Sequence, residues 1–373
     1  MNMFKVSFLS AIETSIKLVA GFIVIKLLAF LYGPETVAKF GQFQNVFTVL
    51  TILVSGSFVT GLVKYISESH SIANTLNANK KVASYIQGSI TFSIIASAIL
   101  FLLLIIFSDN ISFYVFSSHN FKSIFIFLAF AIFFIAIYQM IIAYLNGLRR
   151  IKEMVCLKIF SSIILIVVGI ILVYLYGLIG GLYTIILAPT FAGLFGIWYM
   201  LKKSLISLRF FKLRIEKKIQ SDLIIYWGMN IITLISGPLV LFYIRKYIVN
   251  LEGWEAAGLW ESIWKLSDLS CLLITTALAA YFIPMLGRTK KKSEQIDLLK
   301  KVFLLALGVS VIISVLMFLL KDFLILTLFS YKFLKISGVL KYQLIAGPLR
   351  MITWIISLHM LIKAKPIIFI STE

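Results

Sequence analysis

Acidic side chains are scarce in this sequence: 15 Asp and Glu stand against 35 Lys and Arg in 373 residues, a net charge of +20. Such a balance invites a nucleic acid partner, but the basic residues fall in short spacers between apolar runs. That is the pattern of membrane topology, so no nucleic acid partner is expected. Cysteine is nearly absent, and Cys156 and Cys271 lie far apart with no CxxC motif, which gives no disulfide framework. The three histidines, His70, His119 and His359, are scattered and no HExxH occurs, so neither a metal nor a cofactor is expected. There is no GxxxxGKS or GxxxxGKT loop, which excludes ATP hydrolysis within this chain. Nor does a set of paired carboxylates sit in a large outer loop, where a glycan-transferring enzyme would need it.

What is abundant is hydrocarbon. The chain is 61% hydrophobic with a mean hydropathy of +1.03, more apolar surface than a soluble domain can hide. The fold class is an all-α polytopic membrane protein. Ten runs are long enough to cross a ~30 Å hydrocarbon core: 7–31, 41–66, 83–107, 121–147, 157–176, 179–201, 222–249, 257–287, 302–320 and 340–362. The tight link at "YGLIGG" predicts a helical hairpin. No small-residue cleavage site follows the first run, which reads as a spanning helix and not as a removed signal peptide. Alternate spacers carry the positive charge: Lys80 and Lys81; Arg149, Arg150 and Lys152; the basic stretch after residue 201; and "RTKKKSEQIDLLKK". This alternation puts the N-terminus in the cytoplasm. The longest basic spacer divides the chain into an N-terminal six-helix lobe (1–201), a cytoplasmic linker (202–220) and a C-terminal lobe (221–373).

Ionisable residues at membrane depth are costly to keep, and each is a candidate site. Glu13 and Lys17 are one turn apart in the first span, with Lys17 ~15 Å from its inner end. Lys26 lies nearer the outer end. Lys64 ends the second span, where snorkelling suffices to explain it. Arg245 and Lys246 sit near the outer end of the seventh span. In "GLWESIWKLSDLS", Glu261, Lys265 and Asp268 form one stripe at i, i+4 and i+7. That stripe is either a self-compensating ion triad that fixes packing or the polar wall of a cavity. Trp260 and Trp264 beside it are either interface anchors or stacking platforms for sugar rings. Arg350 falls near the middle of the tenth span, one turn beyond the helix-loosening Gly347 and Pro348. Cations outnumber acids among these positions, which suits an anionic cargo and opposes a cationic one.

Several short stretches carry a family likeness in order and spacing: the spaced Lys17 and Lys26, "VKYI" at Lys64 and Tyr65, "NGLRR", "IRKYI" at Arg245 and Lys246, "GLWESIWKLSD" and "AYFIPMLGR". Through them the chain resembles the bacterial polysaccharide-lipid flippases. These are the lipid III flippases of enterobacterial common antigen and the O-antigen translocases, within the multidrug/oligosaccharidyl-lipid/polysaccharide exporter superfamily. The resemblance implies a two-lobe exporter fold of the MATE/MviN type with twelve spans, of which about ten are present, the last two helices of the C-terminal lobe being absent. It implies a bacterial inner-membrane transporter that moves an undecaprenyl-diphosphate-linked oligosaccharide to the periplasmic leaflet by alternating access. Its partners would be membrane lipids, a polysaccharide polymerase and a chain-length regulator. Lys17, Lys26, Arg245, Lys246 and Asp268 carry over from the family pattern. Lys265 and Arg350 as cargo-binding residues, and Glu13 and Glu261 as coupling or cavity acids, rest on the reading of the residues themselves. The alternatives are a multidrug-type cation antiporter of the same superfamily, a membrane-embedded polysaccharide polymerase, a non-transporting scaffold, or an inactive truncated remnant.

Overall fold

The computed structural model describes residues 3–56, 61–63, 66, 76–203, 217–288 and 292–362. These form helices linked by short turns, with no strand among the described residues. The helices are α1 (Met3–Tyr32), α2 (Pro34–Thr51, continued by a π turn at Ile52–Gly56), α3 (Leu76–Ile106), α4 (Ser108–Phe116) and α5 (Lys122–Gly147). Then follow α6 (Ile151–Lys202), α7 (Lys217–Arg288), α8 (Lys292–Leu319), α9 (Lys321–Leu328) and α10 (Leu340–Ile362). Seven of the described helices are long and apolar enough to cross a membrane. Their outer surfaces are apolar too: Phe30, Leu102, Tyr174, Leu304 and Leu319 are all exposed, as suits a chain surrounded by lipid. Lys64, Tyr65 and most of the basic linker, residues 204–216, lie outside the described residues.

Two helices are too long to be straight. The 52 residues of α6 and the 72 of α7 would reach far beyond a ~30 Å core at ~1.5 Å per residue. Each bends at a glycine. Gly177 takes φ 60°, ψ −133° and Gly253 takes φ 83°, ψ 178°, regions a side chain at Cβ closes to other residues. In α6 the contacts step outward from the bend in antiparallel register. A Cβ on Gly180 would meet the Leu172 carbonyl, and one on Gly169 the Thr184 methyl; farther out, Phe160 lies 4.5 Å from Phe195. The hairpin predicted at "YGLIGG" is therefore present.

The chain divides into two compact units. One comprises residues 12–24 and 39–244, the other 1–11, 25–38 and 245–373. Lipid is as apolar as leucine, so burying aliphatic side chains does little to hold helices together, and close approach matters more. In the first unit a Cβ on Gly193 of α6 would lie 2.4 Å from the Phe134 carbonyl of α5. Phe43, Phe116 and Phe125 fill the space beside α5. In the second unit the return limb of α7 packs with α8 and α10 through Cys271, Val302, Ala306, Met351 and Ile355.

The packing of α10 follows from Pro348. Proline has no N–H to give to the carbonyl four residues back, so Leu344 loses its intrahelical partner. Ser314 of α8 supplies the missing donor, its Oγ 3.1 Å from the Leu344 carbonyl. On the other side, Ser267 Oγ of α7 donates to the Gln343 carbonyl at 3.2 Å. These bonds set α10 against both neighbours and aim the next turn, which carries Arg350. Ser314→Ala is expected to lower the thermal midpoint of the detergent-purified protein through a loss of about 1 kcal/mol. Adding Pro348→Ala restores an N–H for Leu344 and should recover most of that loss.

Candidate functional site

The bend at Gly253 places two residues of α7 face to face. Arg245 and Glu261 are sixteen positions apart, symmetric about the glycine, so the returning limb brings the carboxylate to the guanidinium. Arg245 Nη2 donates to Glu261 Oε2. The other carboxylate oxygen, Oε1, takes Lys265 Nζ at 3.4 Å, one helical turn on. Arg245 is 1% exposed and Glu261 3%. Neither charge could stay in that position alone, since an uncompensated ion in such surroundings costs several kcal/mol. Asp268, by contrast, is exposed; Arg350 and Lys265 are its cationic neighbours and Glu261 its acidic one.

Two tryptophans on the return limb extend this arrangement. Trp260 and Trp264 stack with centroids 5.8 Å apart and 26° between planes. Each ring carries a guanidinium. Arg245 lies 5.9 Å from the centroid of Trp260, and Arg350 of α10 lies 3.9 Å from that of Trp264. Both lie within cation–π reach of an indole, an attraction that leaves guanidinium N–H groups able to donate hydrogen bonds. Arg350 Nη1 is buried with no hydrogen-bond partner among the described residues. Lys246, next along α7, is half-buried. Lys26 on α1 is exposed.

In the other unit, the pairing differs from the one suggested by spacing. Glu13, 7% exposed, turns to Lys158 of α6, whose Nζ is 3.3 Å from Oε2. Lys17 is exposed. The buried Tyr138 has Ser161 and Glu13 as polar neighbours. Sequence reasoning missed Lys158. The available signal was a lysine in the first turns of a span whose nearest acid, Glu153, is already held by Arg150 at 2.6 Å. No group of three His, Cys, Asp or Glu among the described residues could hold a metal ion.

The arrangement in the second unit is thus a row of cationic donors on aromatic supports, with one acid fully engaged and a second at the edge. It has the means to hold an anion through charge-assisted hydrogen bonds.

The chain is similar to several known proteins. The lipid III flippases of Escherichia coli (strain K12) and Shigella flexneri are each 24% identical over 374 residues, covering 100% of this chain and 88% of theirs. Among solved structures, an inward-facing multidrug resistance MATE family transporter of the MOP superfamily superposes with TM-score 0.71 at 18% identity, over 95% of this chain and 84% of that one. A MOP superfamily transporter from Pyrococcus furiosus, described as having a binding pocket of reverse polarity that suggests a different function, gives TM-score 0.71 at 16% identity. It covers 99% of this chain and 83% of its own. The fold is therefore that of the MATE transporters, and the chain is a multi-pass membrane protein. The sequence pattern of the polysaccharide biosynthesis protein family matches residues 4–290, and because that stretch is most of the chain and takes in the Trp260 and Trp264 platform, the chain belongs to that family.

Proposed function

We propose that this protein is a transporter, not an enzyme, and that it flips an undecaprenyl-diphosphate-linked oligosaccharide from the cytoplasmic to the periplasmic leaflet of a bacterial inner membrane by alternating access. The observation that carries the reading is the sign of the charge kept inside spanning helices. Arg245, Lys246, Lys265 and Arg350 are set against Glu261 and Asp268, and Glu261 is already engaged by two of the cations. A diphosphate needs paired donors to leave water, and planar guanidinium groups suit phosphate oxygens. The two lipid III flippases aligned over the whole chain support the same cargo class. A membrane potential negative inside favours outward passage of an anion by about 2.3 kcal/mol per charge per 100 mV.

Within this reading the residues divide by what they can reach. Lys265 and Arg350 meet the diphosphate directly, with Lys26 and Lys246 as further cationic contacts, and Lys17, in the other unit, is a separate cationic candidate. Arg245 adds its charge from behind, held by Glu261 and Trp260. Glu13 and Asp268 are the acids available for coupling to an ion. The alternation of basic spacers supports a cytoplasmic N-terminus. A glycan polymerase and a chain-length regulator are the partners that would consume the flipped unit. A multidrug-type antiporter of the same fold is the rival reading, and the excess of intramembrane cations disfavours its cationic cargo.

Two outcomes are expected. Arg350→Ala, Lys265→Ala and Lys17→Ala should each slow glycan display roughly ten- to hundredfold at unchanged protein level, the equivalent of one charge-assisted hydrogen bond of about 1.5–3 kcal/mol. Display assays with membrane quantification read this directly, and normal display from all three variants would remove the cationic residues from the mechanism. Separately, Glu261→Ala should destabilise the protein by about 3–5 kcal/mol because it strands Arg245. The double variant Arg245→Met/Glu261→Leu should be more stable than Glu261→Ala alone, as measured by thermal unfolding in detergent.

A further inference from the structure

A second feature lies in the unit that does not contain the arginine pair. Helices α3 and α5 run antiparallel, with Ile86 near Ala143 at one end and Phe101 5.1 Å from Phe130 at the other. Between them is a cavity of about 80 Å³, walled by Ile90, Phe133, Ile137 and Met140. From Ile86 to Ser97 along α3 it extends ~16 Å at ~1.5 Å per residue. The volume is well below the several hundred Å³ that a whole drug-sized ligand fills, so the cavity suits a slender chain segment and not a sugar or a ring system.

The walls are apolar except at Ser93, Ser97 and Tyr144. Ser93 and Ser97 line the cavity and are 3% and 0% exposed. Neither hydroxyl has a hydrogen-bond partner among the described residues, and nor does that of Ser89 one turn earlier. Elsewhere, buried helix hydroxyls are satisfied by the carbonyl one turn back: Thr184 on Gly180, Thr190 on Ile186 and, on α3 itself, Thr91 on Gln87. The serine row forgoes that bond. Water is a poor substitute, since an ordered water needs two to four polar partners and, Tyr144 apart, the rest of the lining is hydrocarbon.

An occupant must therefore be apolar, thin and able to accept weak hydrogen bonds at intervals. Successive serines of the row are ~6 Å apart along the axis, comparable with one isoprene unit. A polyisoprenoid chain presents a double bond in every such unit, and O–H donation to a π face is a weak but real contact. A saturated acyl chain offers none. We propose that the slot between α3 and α5 binds a segment of the unsaturated hydrocarbon chain of a polyisoprenoid lipid, with Ser93 and Ser97 directed at its double bonds. This deepens the flippase reading and rests on it, because it assigns a place to the tail of the same cargo.

The test uses full-length protein in phospholipid vesicles and a polyprenyl monophosphate with a photoreactive diazirine near the chain end. A fully saturated isoprenoid phosphate of equal length serves as comparison. After illumination, labelled peptides are mapped by mass spectrometry. Label is expected in residues 86–101 and 130–144, and Ala136→Phe, which fills the slot, should reduce it by about tenfold, as loss of 1.4 kcal/mol of binding would. Should that variant fold poorly, Ser93→Ala/Ser97→Ala keeps the shape and should abolish the preference for the unsaturated probe, whereas Ser310→Ala should not. Label outside the slot, equal labelling by the saturated probe, or competition by ordinary diacyl phospholipid would overturn the proposal. Movement of lipid-linked glycan is assayed in parallel. Transport with the slot unlabelled sinks the tail site alone, and a labelled slot without transport sinks the flippase reading alone.

Discussion

A buried guanidinium cannot stand without a counter-charge, and much of the second unit is arranged around that requirement. Arg245 is enclosed, so Glu261 must reach it; Glu261 is enclosed in turn, so its second oxygen takes Lys265. The carboxylate thus supports two cations from one position and leaves the region positive. Trp260 supplies a π face for Arg245, and its neighbour Trp264 does the same for Arg350, which arrives on a different helix. Removing the carboxylate would unsettle each of these contacts in sequence. The ion triad and the cationic row are therefore one construction, with the packing role of Glu261 serving the exposure of charge elsewhere.

Membrane surroundings sharpen this logic. Hydrocarbon provides no drive for helices to associate, so their relations are fixed by small residues, shared hydrogen bonds and compensated charges. Gly193 lets α6 approach the backbone of α5. The carbonyl freed by Pro348 is taken by Ser314. Similarity to multidrug exporters at 16–18% identity speaks for the shared fold, whereas the cargo depends on which side chains that fold displays. Here the display is cationic, and the family is that of polysaccharide biosynthesis.

How much could be read beforehand depended on distance along the chain. Apolar runs of spanning length and the tight "YGLIGG" link are local, and the helices and the Gly177 bend followed from them. The stripe of Glu261, Lys265 and Asp268 is local as well, and its Glu261–Lys265 contact is present. The partners that matter most are not local. Arg350 meets Trp264 across two further helices, and Lys158 meets Glu13 at a separation of 145 positions. Helical spacing put Lys17 one turn from Glu13, and tertiary packing supplied Lys158 as its ion-pair partner. The tryptophans, expected as anchors or sugar platforms, also lie within cation–π reach of two arginines. No periodicity within one helix encodes which helix comes to lie beside it.

The symmetry of α7 about Gly253 has an evolutionary consequence. Arg245 and Glu261 meet because equal counts of residues separate each from the bend, so their encounter depends on loop length as much as on residue identity. A single residue gained or lost between them would rotate one partner about 100° around its helix and turn it off the face where the two meet. Substitutions at the bend are then tolerable in number, while insertions and deletions there are not. Among relatives that keep the arginine and the glutamate, the spacing between them should vary far less than the sequence it encloses.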